Sequence, residues 1–132
     1  TVQGVVIARV DRLAEEVKEV LRTASVVGRS FLYRLLREVM KLDREVDREL
    51  ATLQEIDLIR EKQRQPELEY IFKHALAQEA VYESILLEIR RHLHRSVAET
   101  IEALFGERLE EFYGLLAYHY ARADAPEQAL NY

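Results

Sequence analysis

The chain has 132 residues, 48% of them hydrophobic and 33% charged, with a formal net charge of -5 and no cysteine. This balance excludes a disordered segment, a disulfide framework and thiol chemistry, and the apolar runs fall far short of the roughly 20 residues that a membrane-crossing helix needs. Residues 1–73 carry 14 basic and 14 acidic side chains, while residues 74–132 carry five and ten, so neither half has the basic excess that phosphate neutralisation demands, which disfavours nucleic acid as a partner.

Along the chain, Val2 to Leu13 places Val2, Val5, Val6, Ala8 (or the stem of Arg9), Val10 and Leu13 at helix-like spacing. Ala14 to Val26 repeats the pattern with Val17, Val20, Leu21 and Ala24, and Gly28 is a C-terminal stop. Ser30 is then expected to cap a helix whose buried face is Leu32, Leu35, Leu36 and Val39. Asp43 opens a fourth helix, with Val46, Leu50 and Leu53 inward and acids in a first turn that favours them.

Helical spacing then gives way to alternation. Leu58–Lys62 and Leu68–Phe72 predict two short strands, Leu68, Tyr70 and Phe72 sharing one face, around a loop over Gln63–Glu67 that contains Pro66. Three helices followed by a hairpin is the winged-helix order. Helices resume from His74 to about Ser84. The next runs from Leu87 to Phe105 with Ile89, Leu93, Val97, Ile101 and Leu104 along its face, and Gly106 breaks it. Leu109 to Ala123 carries the stripe Leu109, Phe112, Tyr113, Leu116 and Tyr120, and Pro126 starts a last helix.

The chain lacks the common catalytic signatures. It contains no Gly-rich phosphate loop, no G-x-S-x-G and no H-E-x-x-H. His92 and His94 are two apart, so on a helix they diverge and cannot share a metal. Glu88 and His92 make an ordinary surface pair, and the basic run Arg90 to Arg95 fits a solvated face. No catalytic residue, metal site or bound cofactor is expected, and the chain is not expected to be an enzyme by itself. With no cysteine and no basic-then-apolar leader, a cytoplasmic protein is expected, its N-terminus not the native one.

Two positive signals remain. Tyr113, Leu116, Ala117, Tyr120 and Ala129 resemble the tetratricopeptide pattern, in which a small residue lets the paired helix approach while large ones fill the gaps. A lone repeat cannot bury its own face, so further repeats are expected, with an unidentified protein partner bound through them. Then, Tyr70 to Leu86 runs from a strand into a helix without Gly or Pro, with His74 at the joint.

Taken together, Thr1–Leu13, Thr23–Phe31 and Phe72–Leu86 resemble the STAND class of multidomain signalling ATPases, whose members carry cyclase, kinase or transcription-regulator domains beside a P-loop ATPase, a winged helix and tetratricopeptide-like repeats. The resemblance implies a mainly α chain: residues 1–13 as the end of the ATPase lid, 14–73 as a winged helix of three helices and a small β-hairpin, and 74–132 as the start of a repeat array of antiparallel helical hairpins. It implies an ATPase domain of the same parent chain as partner, holding ATP or ADP and Mg outside these residues. In the class, a Met-His-Asp-Leu motif lets its histidine contact the β-phosphate of ADP. Lys73-His74-Ala75-Leu76 occupies that place and keeps the His and the Leu, which implies a nucleotide-sensing role for His74. The alternatives are a DNA-binding regulator, or a plain repeat scaffold without sensing.

Overall fold

Helices account for about 70% of the described residues in the computed structural model, which describes residues 1–41 and 46–132 and also contains a three-stranded antiparallel sheet. Two units form, residues 1–85 and residues 86–132.

In the first unit, Thr1 Oγ1 accepts the Gly4 N–H at 2.9 Å and starts α1 (Val2–Asp11). Only part of its expected face is used: Val6 and Val10 are buried, whereas Val2 and Val5 are exposed. Helix α2 (Glu15–Val27) buries Val17, Val20, Leu21 and Ala24 as their spacing predicts, with Glu15 and Glu16 favourably placed in its first turn. Gly28 ends it at φ 154°, where a Cβ would come 3.3 Å from the Ser30 carbonyl oxygen.

Ser30 does not cap the next helix. Ser30–Leu32 forms a strand, β1, and α3 (Tyr33–Met40) begins after it without a side-chain cap. The magnitudes explain the outcome. An N-cap is worth about 1 kcal/mol, whereas burying an aromatic side chain contributes about 2–3 kcal/mol. Phe31 is 1% exposed, its ring 5.9 Å from those of both Tyr70 and Phe72. Leu35, Leu36 and Val39 of α3 are buried, but Leu32 belongs to the strand. The expected helix start at Asp43 lies outside the described residues. Helix α4 spans Asp47–Glu55, and Val46, Leu50 and Leu53 are buried as expected.

Strands β2 (Ile59–Gln63) and β3 (Glu69–Phe72) make the expected hairpin, and β1 adds to the other edge of β3, for the order β1-β3-β2. The register pairs Phe31 with Tyr70 and Ile59 with Phe72, so the inward side chains join one core with α2 and α4. Helix α5 (Ala75–Ser84) closes that core. Its small buried residues Ala77 and Ala80 lie against α1 and α2, and Gln78 Nε2 donates to the Ser25 carbonyl at 2.7 Å. The expected borders at 13/14 and 73/74 both fall inside this unit.

The second unit opens with α6 (Leu87–Leu104). Its buried seam is His94, Val97, Ala98 and Ile101, continued by Phe105 after the helix, while Ile89 of the expected face is exposed. A 3-10 segment (Gly106–Phe112) follows, with Phe112 stacked on Phe105 at 4.5 Å. That segment absorbs Leu109 and Phe112, so α7 spans Tyr113–Arg122 instead of starting at Leu109. Pro126 stands in the first turn of α8 (Pro126–Leu130) as predicted.

Candidate functional site

His74 sits in extended backbone (φ -127°, ψ 133°) between β3 and α5. The joint is pinned on both sides: the Lys73 N–H donates to the Leu58 carbonyl at 3.0 Å, and the His74 carbonyl accepts the Ala77 N–H at 3.1 Å. The imidazole does not cap the helix and is exposed. It faces a cleft of about 280 Å³ with Val6, Leu58 and Ala77 inside and Val2 and Leu76 towards solvent.

Arg9 and Asp57 supply the other polar groups of this cleft. The Arg9 guanidinium donates to the Ile56 carbonyl, and Lys73 Nζ pairs with the Asp57 carboxylate. The hydrogen bond from Lys73 chiefly holds the Asp57 carboxyl below its usual range, with the charges of Lys73, His74 and Arg9 acting the same way against a desolvation effect. Spacing on α1 allows Arg9 only as an apolar stem, so the role of its head group is not visible in the sequence. Asp57 stands in the turn between α4 and β2 at φ 68°, a left-handed position that Asp tolerates better than most residues.

The second unit contains a feature that sequence spacing alone does not expose. His94 of α6 and His119 of α7 are each 1% exposed, and their Nδ1 atoms lie 2.8 Å apart. One ring must donate and the other accept, so the two Nδ1 atoms cannot both be protonated, and two neutral rings meet the bond as different tautomers at those atoms. Burial pushes His94 down to about 4, aided by the charges of Arg122 and Arg90. Burial likewise pushes His119 down to about 3, aided by His94 and Arg122. Tyr118 meets both rings edge-on, and the Arg122 guanidinium lies 3.9 Å from the centre of the Tyr118 ring. His92 is exposed, so it and His94 do diverge. The available signal was His119 three residues after Leu116, on the inward side of α7. Among the described residues no three His, Cys, Asp or Glu side chains gather to hold a metal.

The repeat-like residues share this unit. Leu116 and Tyr120 are buried, Ala117 and Ala129 are half-buried, and Tyr113 is exposed with its ring 5.6 Å from that of Tyr132. Tyr120 and Tyr132 stack nearly parallel at 6.2 Å, and both hydroxyls donate to the carboxylate of Glu102. Burial and that carboxylate push the Tyr120 hydroxyl up. The Glu102 bond is the main cause that pushes Tyr132 up to about 12.

On the exposed side of α4, Asp47 accepts from the Tyr33 hydroxyl at 2.5 Å, and Arg48 lies between acids. In the hairpin, Arg64 pairs with Glu61 at 2.6 Å and Lys62 with Glu69 at 3.9 Å. No described helix is long and apolar enough to cross a membrane. Compared with protein-family models, with curated proteins and with solved structures, the chain matches none.

Proposed function

We propose that the chain is a non-catalytic regulatory and protein-interaction segment of a cytoplasmic STAND-type signalling ATPase. It couples the nucleotide state of an ATPase domain in the same parent chain to partner binding or output. In this reading residues 1–13 are the end of the ATPase lid, residues 14–73 a winged helix, and residues 74–132 the first part of a tetratricopeptide-like array. The sheet order β1-β3-β2 beside three helices supports the winged helix, and the inward Leu116 and Tyr120 with the half-buried Ala117 and Ala129 support the repeat.

The observation that carries the reading is His74 itself. Its imidazole is exposed at the start of α5, is not used to cap that helix, and has Arg9 in the same cleft. A donor there meets an anion where the helix dipole already favours one. In this mechanism ADP held by the ATPase domain accepts a hydrogen bond from His74, and ATP displaces the contact and frees the winged helix to rotate. Such a bond, worth about 1–3 kcal/mol, biases an equilibrium but falls short of the roughly 5.5 kcal/mol that a full reversal requires.

The test is ADP retention by the full-length parent carrying His74→Ala. Clear loss of retained ADP at unchanged fold is expected; unchanged retention would leave only a repeat scaffold. A DNA-binding role is the weaker reading, because acids already occupy Lys62 and Arg64 of the hairpin.

A further inference from the structure

The cleft beside His74 has properties that a contact with phosphate does not use. Its interior is apolar: Val6, Leu58 and Ala77 are each at most 8% exposed. Two large apolar side chains at its mouth, Val2 and Leu76, remain 63% and 49% exposed. A cleft of about 280 Å³ has room for roughly nine groups the size of a water molecule, at the small end of ligand pockets.

The charges at its edge are unequally matched. Asp57 already pairs with Lys73, whereas Arg9 gives a hydrogen bond to a neutral carbonyl, and no described carboxylate forms an ion pair with it. The Arg9 guanidinium has further N–H groups in a planar fork suited to an anion. With the Asp57 carboxylate in the same cleft, a dianion is repelled more than a monoanion.

We infer that this cleft binds a small amphipathic monocarboxylate, its apolar body lying between Val2, Val6, Leu58 and Leu76 and its carboxylate facing Arg9 and His74. This goes beyond the nucleotide reading and does not depend on it, since it turns on the apolar lining of the cleft, which that reading does not use.

The experiment is a titration of the isotope-labelled 132-residue chain, followed by amide chemical shifts, with sodium hexanoate, hexan-1-ol, inorganic phosphate and ADP as separate probes. Saturable shifts at Val6, Leu58, His74 and Leu76 are expected with hexanoate in the millimolar range, and Arg9→Gln should weaken them about two- to fivefold, as for a partly exposed ion pair. The exposed position of Arg9 lets the variant fold, which its own amide spectrum verifies. No saturable shift with hexanoate, equal binding of hexan-1-ol, equal binding of inorganic phosphate, or an unaltered Arg9→Gln affinity would each overturn the proposal. Binding of ADP in place of hexanoate would overturn it while leaving the nucleotide reading standing.

Discussion

Acidification from pH 7.5 to pH 5 should remove about 4 kcal/mol of stability from the second unit. In the unfolded chain His94 and His119 titrate near the ordinary 6.5, whereas in the folded chain they are lowered to about 4 and about 3. Folding therefore keeps both rings neutral while the unfolded chain takes up protons. The contribution is fully present above pH 6.5 and is lost as the pH falls towards 4, where the folded pair begins to bind protons itself. At pH 5 each unfolded ring gains about 1.5 pH units of proton binding at 1.36 kcal/mol per unit, or about 2 kcal/mol. The charges of Arg90 and Arg122 face the pair, and both oppose an imidazolium. A loss of about 4 kcal/mol is a large share of the 5–15 kcal/mol by which domains are ordinarily stable. Urea unfolding at a series of pH values, read from amide signals of α6 and α7, measures it directly. Equal midpoints for those signals at pH 7.5 and pH 5, or imidazole resonances of His94 and His119 that titrate near 6.5, would refute the reasoning. The paired variant His94→Leu with His119→Leu should abolish this part of the pH dependence.

Phe31→Ala should destabilise the first unit by about 3–5 kcal/mol, because it empties the centre of the aromatic cluster with Tyr70 and Phe72; chemical denaturation measures this, and a loss below about 1 kcal/mol would mean that β1 is not part of the core. Gly28→Ala should cost about 1–3 kcal/mol, since φ 154° is a backbone conformation that side chains disfavour and the new Cβ meets a carbonyl. Glu102→Gln should bring the Tyr132 phenol down from about 12 towards its ordinary 10, as read by ultraviolet absorbance against pH; an unchanged titration would show that the Glu102 bond is not the cause.

The parts of the fold visible in the sequence are those where spacing and burial coincide. Val17, Val20, Leu21 and Ala24 fit a helix, and Leu68, Tyr70 and Phe72 fit a strand, because each set lies on a single inward face. Ser30–Leu32 was hidden because a three-residue strand has too little alternation to outweigh a capping serine, and its partner β3 lies about 40 residues on. Along α6 the expected Val97 and Ile101 are buried, but His94 is absent from the expected face because it counts as polar in any hydropathy pattern, yet its hydrogen bond to His119 lets it occupy a core position. At the candidate site, His74 was legible from the strand-to-helix transition. Arg9 and Asp57 were not, since only folding brings α1 and the turn before β2 to the same cleft.

The same packing bears on how a weak contact at His74 could act in the proposed mechanism. If α5 were loosely attached, loss of one hydrogen bond would simply fray its first turn, and nothing beyond that turn would respond. The helix is instead held at its start by the His74 carbonyl, in its middle by Gln78 on Ser25, and along its length by Ala77, Ala80 and Val81 in the common core. Unwinding the first turn would disturb that core at Ala77 and loosen Gln78, at a cost above the 1–3 kcal/mol of the contact itself. A rigid-body movement of the first unit leaves those contacts intact and is therefore the less costly response. His74→Ala should accordingly leave amide-exchange protection of α5 unchanged while it lowers ADP retention in the parent chain. Loss of protection in α5 would mean that the histidine acts on the stability of the helix and does not report on nucleotide.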